Sequence, residues 1–305
     1  MTTNSKIVVV GSVAVDWVIT PKAEREESVG GAAVFFAMAA APFCSTQLVG
    51  VIGDDFPAPA IADLEAAGVD LAGLERAEGK TFRWKGRYHA NMNSRDTLET
   101  HLNVFESFSP KLPESYQDAD FLFLANIQPT LQLDVLEQMG GRPKLVGLDT
   151  MNLWIDIATD DLIKVLGRVD VLTINEEEAL QLSGETNLVV AARKIQGMGP
   201  KTLVIKRGEY GALCFCEDGT QFAAPALPLE NVVDPTGAGD SFAGGFMGHL
   251  ARTGDLSTPN VRKAVIWGST MASFCVEGFS YDTVRGLSRE DAQARYDRFV
   301  ELTRF

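Results

Sequence analysis

Short apolar runs alternate along most of the 305-residue chain with stretches whose apolar positions recur every three or four residues. The apolar runs predict strands at 6–10, 121–127, 145–149, 169–174 and 202–206. The stretches between them predict helices, for example at 57–67, 131–139 and 188–197. Such alternation is typical of βαβ units, in which helices cover both faces of a parallel sheet. The pattern therefore predicts an α/β fold with a mostly parallel central sheet.

Two segments depart from this pattern. Residues 13–20 alternate between apolar and polar positions, and residues 82–90 place aromatic residues on one face and basic residues on the other. Strict alternation predicts strands of a small antiparallel sheet with one face free to be polar. We expect one domain over 1–305, with a lid formed by about 12–20 and 80–105.

The two faces of the predicted lid need different surroundings. The aromatic face, with Phe82, Trp84 and Tyr88, must be covered either by substrate or by a second subunit, which allows a homodimer through the lid. The basic face fits a solvated strand better than a phosphate contact.

Several predicted strands end in a polar residue, namely Asn126, Asp149, Asn175 and Lys206. Ligands of open α/β sheets bind beyond the carboxyl ends of the strands. Each of these residues, taken alone, is better explained as a helix cap or turn former. Four of them together indicate a shared site.

Composition narrows the range of partners. The net charge of −14 and the isoelectric point near 4.7 argue against nucleic acid as a partner. No apolar run reaches the roughly 20 residues of a membrane span, and the N-terminus lacks a signal peptide's layout, so we expect a cytoplasmic protein without a membrane partner. The four cysteines and three histidines lack the spacing of a zinc site, so the cysteines are expected to be buried free thiols.

The segment 232–246, VVDPTGAGDSFAGGF, carries the most specific signal. Apolar residues recur at every fourth position from Phe242 onward, which predicts a helix that begins at or just before Asp240. The backbone N–H groups of Gly237, Ala238 and Gly239 would then lie at the start of that helix and form an anion site. Asp240 beside this site is explained equally well as a helix cap or as a general base that takes the proton of an attacking hydroxyl.

The same segment resembles the signature of the ribokinase-like (pfkB) carbohydrate kinases, D-T-x-G-A-G-D. Further motifs of that family follow the order of the chain: GSVAVD at 11–16, the glycine pair at 30–31, GVIGDD at 50–55, AGVD at 67–70, NEEE at 175–178 and KRGEYG at 206–211. The resemblance implies a central sheet flanked by helices with a β lid. It also implies transfer of the γ-phosphate of ATP to a hydroxyl of a sugar-like substrate.

For the acceptor side, the resemblance implies that Asp16 binds substrate hydroxyls and that Gly30 and Gly31 form a substrate loop. It implies that Asp240 is the catalytic base, with the Gly237, Ala238 and Gly239 amides holding the charge of the transferred phosphoryl group.

For the nucleotide side, the resemblance implies contacts from Asn175, Lys206, Gly208, Gly211 and Thr236. It further implies Mg²⁺ at Glu178 with Asn175, and a monovalent cation such as K⁺ near Asp234. The spacing of Asn175 and Glu178 agrees, because a strand end and a residue one helical turn later can face one pocket. A capping arrangement at the start of a helix over 176–183 explains the same two residues.

Two departures from the family pattern affect the substrate. Pro235 stands where Thr is usual, and Phe35 stands where many members have the Asn that contacts the sugar. Phe35, with Trp17, Phe82 and Trp84, would offer an aromatic wall that suits a nucleobase better than a bare sugar. We therefore favour a ribonucleoside over a free sugar or polyol. The alternative is that Phe35 packs its helix against the sheet.

Other classes fit less well. A dehydrogenase would carry G-x-G-x-x-G after the first strand, and the chain does not. A non-catalytic sensor of sugars or nucleotides with the same fold remains the alternative function. The presence of Asp240 and of the glycines before it argues for the enzyme.

Overall fold

A nine-stranded sheet forms the centre of the molecule. The computed structural model describes residues 5–304. Numbered in chain order, the strands of this sheet are β1 Lys6–Val10, β4 Ser45–Ile52, β5 Val69–Arg76, β8 Phe121–Leu124, β9 Leu145–Asp149, β10 Val171–Asn175, β11 Thr202–Lys206, β12 Ala212–Phe215 and β13 Gln221–Ala224. They are arranged in the order β13-β12-β11-β10-β9-β8-β1-β4-β5, and only the pairs that involve β12 and β13 are antiparallel. The predicted mostly parallel sheet is confirmed.

Helices cover both faces of this sheet. One face carries α1 Ala32–Ala40, α2 Ala58–Ala66, α8 Ala238–Thr253, α9 Thr258–Cys275 and α10 Arg289–Leu302. The other carries α3 Pro129–Gln138, α4 Asn152–Ile157, α5 Thr159–Leu166, α6 Glu176–Ser183 and α7 Leu188–Gln196. Along β1, Ile7 and Val9 enter the first core while Val8 and Val10 enter the second. This alternation explains why a strand buried on both faces has an uninterrupted apolar sequence.

A second, four-stranded sheet is formed by β2 Ala14–Ile19, β3 Glu24–Gly30, β6 Phe82–Tyr88 and β7 Arg95–His101, in the order β3-β2-β6-β7. Its two outer pairs are antiparallel, whereas the central pair, β2 with β6, is parallel. The chain returns to the large sheet through β4, α2 and β5 between these two strands, so β6 can enter beside β2 in the same direction. In this register Asp16 lies beside Trp84, and Trp17 lies beside Lys85 on the opposite face.

The site is assembled at the carboxyl edge of the large sheet. Asp149, Asn175 and Lys206 end three neighbouring strands, and Asn175 is paired with Lys206. Helix α8 begins at this edge and packs against α1 so closely that a Cβ at Gly244 would lie 2.4 Å from the Phe36 carbonyl oxygen. The small residues of α8 therefore set the position of its first turn.

The cysteines are unpaired. Cys214, Cys216 and Cys275 are buried and Cys44 is half-buried. The Sγ atoms of Cys214 and Cys216 are 3.7 Å apart. In the described part of the chain, no helix has both the length and the hydropathy needed to cross a bilayer.

Candidate active site

The first turn of α8 is the segment that the sequence predicts to bind an anion, and its backbone is tightly supported. Gly237 caps the helix in the left-handed region, with a φ of 76°. A Cβ at this position would lie 2.3 Å from ring carbons of Phe35, so only glycine fits above that ring. The amide of Ala238 donates to the Pro235 carbonyl oxygen at 3.2 Å, and the amide of Ser241 donates to the Gly237 carbonyl oxygen at 2.8 Å. Of the three predicted donors, the amides of Gly237 and Gly239 are left to receive an anion. The predicted helix start is thus accurate to two residues.

A buried ion pair lies directly beside this turn. Lys206 Nζ is 2.7 Å from Asp149 Oδ2, and the two side chains are only 17% and 7% exposed. The same Nζ contacts Gly239, since a Cβ there would lie 3.0 Å from it. A lysine ammonium is therefore held beside the predicted anion site, and lysine is a common ligand of phosphate groups.

Asp240, half-buried in the first turn of α8, has an unusual protonation equilibrium. Burial, together with the charge of Asp149, raises the pKa of its carboxyl to about 7, although Lys206 and Arg95 pull the pKa down. A carboxyl group with a pKa near neutrality is suited to exchange protons with a ligand at physiological pH.

Asn175 and Glu178 form a reciprocal capping box at the start of α6. The Glu178 amide donates to Asn175 Oδ1, and the Asn175 amide donates to Glu178 Oε2, both at 2.8 Å. Burial, followed by the charge of Asp149, raises the pKa of Glu178 to about 7. The N-x-x-E motif therefore forms the helix cap that was one of its two interpretations. The cap uses one of the two carboxylate oxygens of Glu178.

The carboxylate oxygens of this region fit a metal ion that is bound largely by water and substrate. Within residues 5–304 no group of three or more His, Cys, Asp or Glu side chains is close enough to hold a metal ion. Mg²⁺ needs no such cage, because it commonly binds through one or two carboxylates, waters and substrate phosphates. The second oxygen of Glu178 fits that role.

Asp16 occupies the other side of the site, on β2, and is 5% exposed. Its Oδ1 has no hydrogen-bond partner among the described residues. A Cβ at Gly30 would lie 2.0 Å from its Oδ2, so glycine is needed there to make room for the carboxylate. Burial, and next the charge of Asp234, raises the pKa of Asp16 to about 8. An unsatisfied buried carboxylate oxygen fits a ligand that donates hydroxyl hydrogen bonds.

Gly31, the other predicted substrate-loop residue, forms the N-cap of α1. Its φ is 96°, and a Cβ would lie 2.4 Å from the Ser12 carbonyl oxygen. Gly31 therefore lets the chain turn closely around the end of β1.

The four aromatic residues of the predicted wall lie in four different environments. Phe35 is 3% exposed and packs under Gly237. Trp17 lies on the opposite face of the small sheet, where Lys85 Nζ is 3.4 Å from its ring centre. Phe82 stacks on Phe105 at a centroid distance of 5.3 Å. On β6, Trp84 is the residue paired with Asp16, whereas Phe82 is paired with Ala14.

The turn between β6 and β7 reaches the predicted nucleotide side. Asn93 Nδ2 donates to Glu209 Oε2 at 2.5 Å, and a Cβ at Gly208 would lie 2.4 Å from Asn93 Oδ1. Thr236 Oγ1 donates to the Tyr88 hydroxyl at 3.2 Å. Together with Asp16 on β2, these contacts place the small sheet on both predicted sides of the site.

The remaining predicted positions lie near the same edge. Gly211 has a φ of 84°, and a Cβ there would lie 2.0 Å from the Ala224 carbonyl oxygen. Asp234 is 1% exposed, and its Oδ1 accepts from the Thr236 amide at 2.8 Å. Its Oδ2 is buried without a partner in the part of the chain that the structure describes. Burial raises the pKa of Asp234 to about 6. Such an oxygen is a suitable ligand for a cation.

Two site residues were not assigned from the sequence. Asp149 was noted as a strand-end residue, but its partner Lys206 lies 57 residues away. Arg95, on β7, lowers the pKa of both Asp240 and Glu178 through its charge. Arg95 lies on a strand that is exposed throughout, and the sequence gave no signal that its charge acts on these two carboxyl groups.

The chain is similar to kinases of carbohydrates and nucleosides in both sequence and fold. The profile of the pfkB family carbohydrate kinase matches residues 4–283. The cytidine kinase of Thermococcus kodakarensis is 35% identical over 250 residues, which cover 81% of this chain and 88% of that relative. The solved nucleoside kinase of Methanocaldococcus jannaschii has a TM-score of 0.76 at 18% identity and covers 97% of this chain and 99% of its own. A structure assigned to ribokinase II of E. coli, in complex with ATP and Mg²⁺, has a TM-score of 0.76 at 21% identity, covering 96% and 99%.

The raised pKa of Asp16 makes a prediction about stability. Because the pKa of about 8 in the folded state exceeds the ordinary aspartate pKa of about 4, Asp16 stabilises the fold at low pH, and that contribution is lost as pH rises from about 4 to about 8. Each pKa unit corresponds to about 1.4 kcal/mol. Asp16→Asn should therefore raise the melting temperature at about pH 8 and flatten its decline with pH. Thermal melts across this range measure both effects.

Asp134→Asn, at an exposed position on α3, is the matched control and should leave the curve unchanged. Melting curves of wild type and Asp16→Asn that decline in parallel with pH would contradict the prediction.

Proposed function

The chain belongs to the pfkB family of carbohydrate kinases, and from that premise we propose that it transfers the γ-phosphate of ATP to a hydroxyl of a ribonucleoside, with Asp240 as the general base. That it is an ATP-dependent carbohydrate or nucleoside kinase rests on the family match and on the cytidine kinase relative. The observation that carries the proposed mechanism is the position of Asp240 in the first turn of α8, beside Gly239 and Lys206.

In this mechanism the substrate hydroxyl loses its proton to the Asp240 carboxylate as its oxygen forms a bond to the γ-phosphorus. The bond from that phosphorus to the bridging oxygen breaks, and ADP leaves. The amides of Gly237 and Gly239 and the Lys206 ammonium would stabilise the charge on the transferred phosphoryl oxygens, whereas the Ala238 amide is already bonded to the Pro235 carbonyl oxygen. With a pKa near 7, a large fraction of Asp240 is ionised at neutral pH and can accept a proton. The same pKa is high enough to give the proton transfer a useful driving force.

ATP and metal ions would be held by the chain's own residues as follows. Asn175, Lys206, Gly208, Gly211 and Thr236 would contact the nucleotide. Glu178 with Asn175 would bind Mg²⁺, and the unsatisfied oxygen of Asp234 would accept a monovalent cation such as K⁺. When bound, Mg²⁺ neutralises part of the phosphate charge.

The substrate proposal rests on the acceptor side of the site. The free oxygen of Asp16 suits two neighbouring hydroxyls of a ribose, and Gly30 and Gly31 keep the loop around it close. Trp84 beside Asp16 offers a surface on which a base can stack. The cytidine kinase relative supports a nucleoside over a free sugar. Phe35 supports the start of α8 by packing against Gly237. That Phe35 also contacts the substrate directly stays a prediction.

The small sheet would act as the lid of a single domain. Every residue of β7 is exposed in the monomer, so this edge of the small sheet is open to a second subunit. A homodimer through the small sheet stays a prediction.

Replacing the base tests the mechanism. Asp240→Asn should lower kcat by about 10²–10⁴-fold, because no carboxylate accepts the hydroxyl proton. Nucleoside binding, measured by calorimetry, should persist. In the wild type, kcat/KM for nucleoside should rise with pH and level off above about 7, as Asp240 loses its proton. Near-normal turnover by a folded Asp240→Asn variant would exclude Asp240 as the base.

Glu178→Gln separates capping from metal binding. The amide oxygen of Gln can still accept from the Asn175 amide, so the helix start should survive while the negative charge is lost. The Mg²⁺ concentration for half-maximal rate should rise about ten-fold, the scale of one lost charge-assisted contact. Glu177→Gln, exposed in the same turn, is the control. An unchanged Mg²⁺ dependence would leave Glu178 with capping alone.

Substrate preference is tested by comparing nucleosides with ribose and polyols in an ADP-release assay. Nucleosides should have the higher kcat/KM. Trp84→Ala should lower kcat/KM for nucleosides by about ten-fold or more, since stacking contributes about 1–3 kcal/mol per base. Turnover of ribose should change little. Trp17→Ala, on the opposite face, is the matched control. Efficient phosphorylation of sugars without any nucleoside turnover would reject the ribonucleoside proposal.

A further inference from the structure

The buried pair of Asp149 and Lys206 joins two strand ends beneath the anion site. Asp149 ends β9 and Lys206 ends β11, with β10 between them. Asp149 Oδ1 accepts from the Thr150 amide at 2.8 Å, and its Oδ2 accepts from Lys206 Nζ at 2.7 Å. The carboxylate is therefore fixed to the backbone on one side and to the ammonium on the other.

Lys206 depends on this contact for its position. A lysine ammonium sits on four flexible methylene groups, so burial alone does not fix where it points. Here Nζ rests against Gly239, whose own lack of a side chain allows the contact. Its bond to Asp149 uses one of three N–H donors, and the other two remain to bind a phosphoryl oxygen.

We propose that Asp149 is a positioning residue of the phosphoryl transfer: it holds the Lys206 ammonium at Gly239, where the transferred group passes. The inference rests on the proposed function, because Lys206 matters in this way only if an anion binds at the start of α8. Asp149 itself need not touch substrate.

The pair has an asymmetry that can be measured. Removing Lys206 leaves a buried carboxylate without its cation, which destabilises a protein strongly. Removing the charge of Asp149 leaves an ammonium that still has the charges of Glu178 and Asp240 nearby. A residue that acts through Lys206 should have no further effect once Lys206 is gone, whereas two independent contributions should add.

The test is a double-mutant cycle of Asp149→Asn and Lys206→Met, with kcat, KM for MgATP and melting temperature measured for each variant. Asp149→Asn alone should lower kcat about 10- to 100-fold, the scale of a misplaced catalytic group. In the Lys206→Met background the same change should alter kcat less than about two-fold and should raise the melting temperature. Additive losses in kcat would overturn the inference.

A pH profile gives a readout that general loss of structure would not move. The charged groups that face Asp240 are Asp149, Lys206 and Arg95, and Asp16 also interacts with it electrostatically. Removing the negative charge of Asp149 favours the ionised form of Asp240, so the acid limb of kcat/KM should shift to lower pH in Asp149→Asn. A lower kcat with an unmoved limb would contradict the proposed arrangement.

Asp170→Asn is the matched control. Asp170 accepts from Arg142 at 2.8 Å and from the Val146 amide, at the opposite end of the same strands. This variant should keep both kcat and the acid limb. If the wild type phosphorylates no nucleoside or sugar, the proposed function fails. If it does and Asp149→Asn has normal kcat, only the role of Asp149 fails.

Discussion

The site depends on one electrostatic constraint: more carboxylates converge on it than buried cations. The carboxylates involved are Asp16, Asp149, Glu178, Asp234 and Asp240. Lys206 neutralises one of them directly, and burial raises the pKa of the others to between about 6 and about 8. Such a cluster is unfavourable by itself, and under the proposed function hydroxyls, metal ions and the donors around a phosphate chain would complete it. Stability would thereby be exchanged for ligand binding.

Under the proposed function, the small sheet would bring the acceptor and the nucleotide together. Asp16 faces the acceptor side from β2, while Asn93 touches the loop of Gly208 and Glu209. Tyr88 accepts a hydrogen bond from Thr236, next to the start of α8. A sheet that contacts both sides can exclude water from the space between them, as phosphoryl transfer to an alcohol requires. The parallel pairing of β2 with β6 allows this, because it sets Asp16 and Trp84 side by side.

The sequence was most informative where local chemistry decides the structure. Apolar runs located β1, β9 and β11 to the residue, and the glycine-rich turn located the start of α8 within two residues. It was least informative where a contact joins distant segments. Two such contacts are the ion pair of Asp149 with Lys206 and the packing of Phe35 against Gly237. Both depend on how strands and helices pack together, and the periodicity of apolar residues does not encode that packing. Alternation predicted the faces of β2 and β6, but not that the two strands run parallel.

The N-x-x-E motif shows why a structural and a functional explanation of one residue need not compete. Capping satisfies two backbone donors at the start of α6, and an exposed Glu would do that equally well. Glu178 is only 7% exposed, and burial raises its pKa to about 7, so it caps the helix at an electrostatic cost that capping alone does not require. A metal ion beside it would remove that cost. The burial of Glu178, and not its hydrogen bonds, is therefore the property that supports the proposed metal-binding role beyond that of a helix cap.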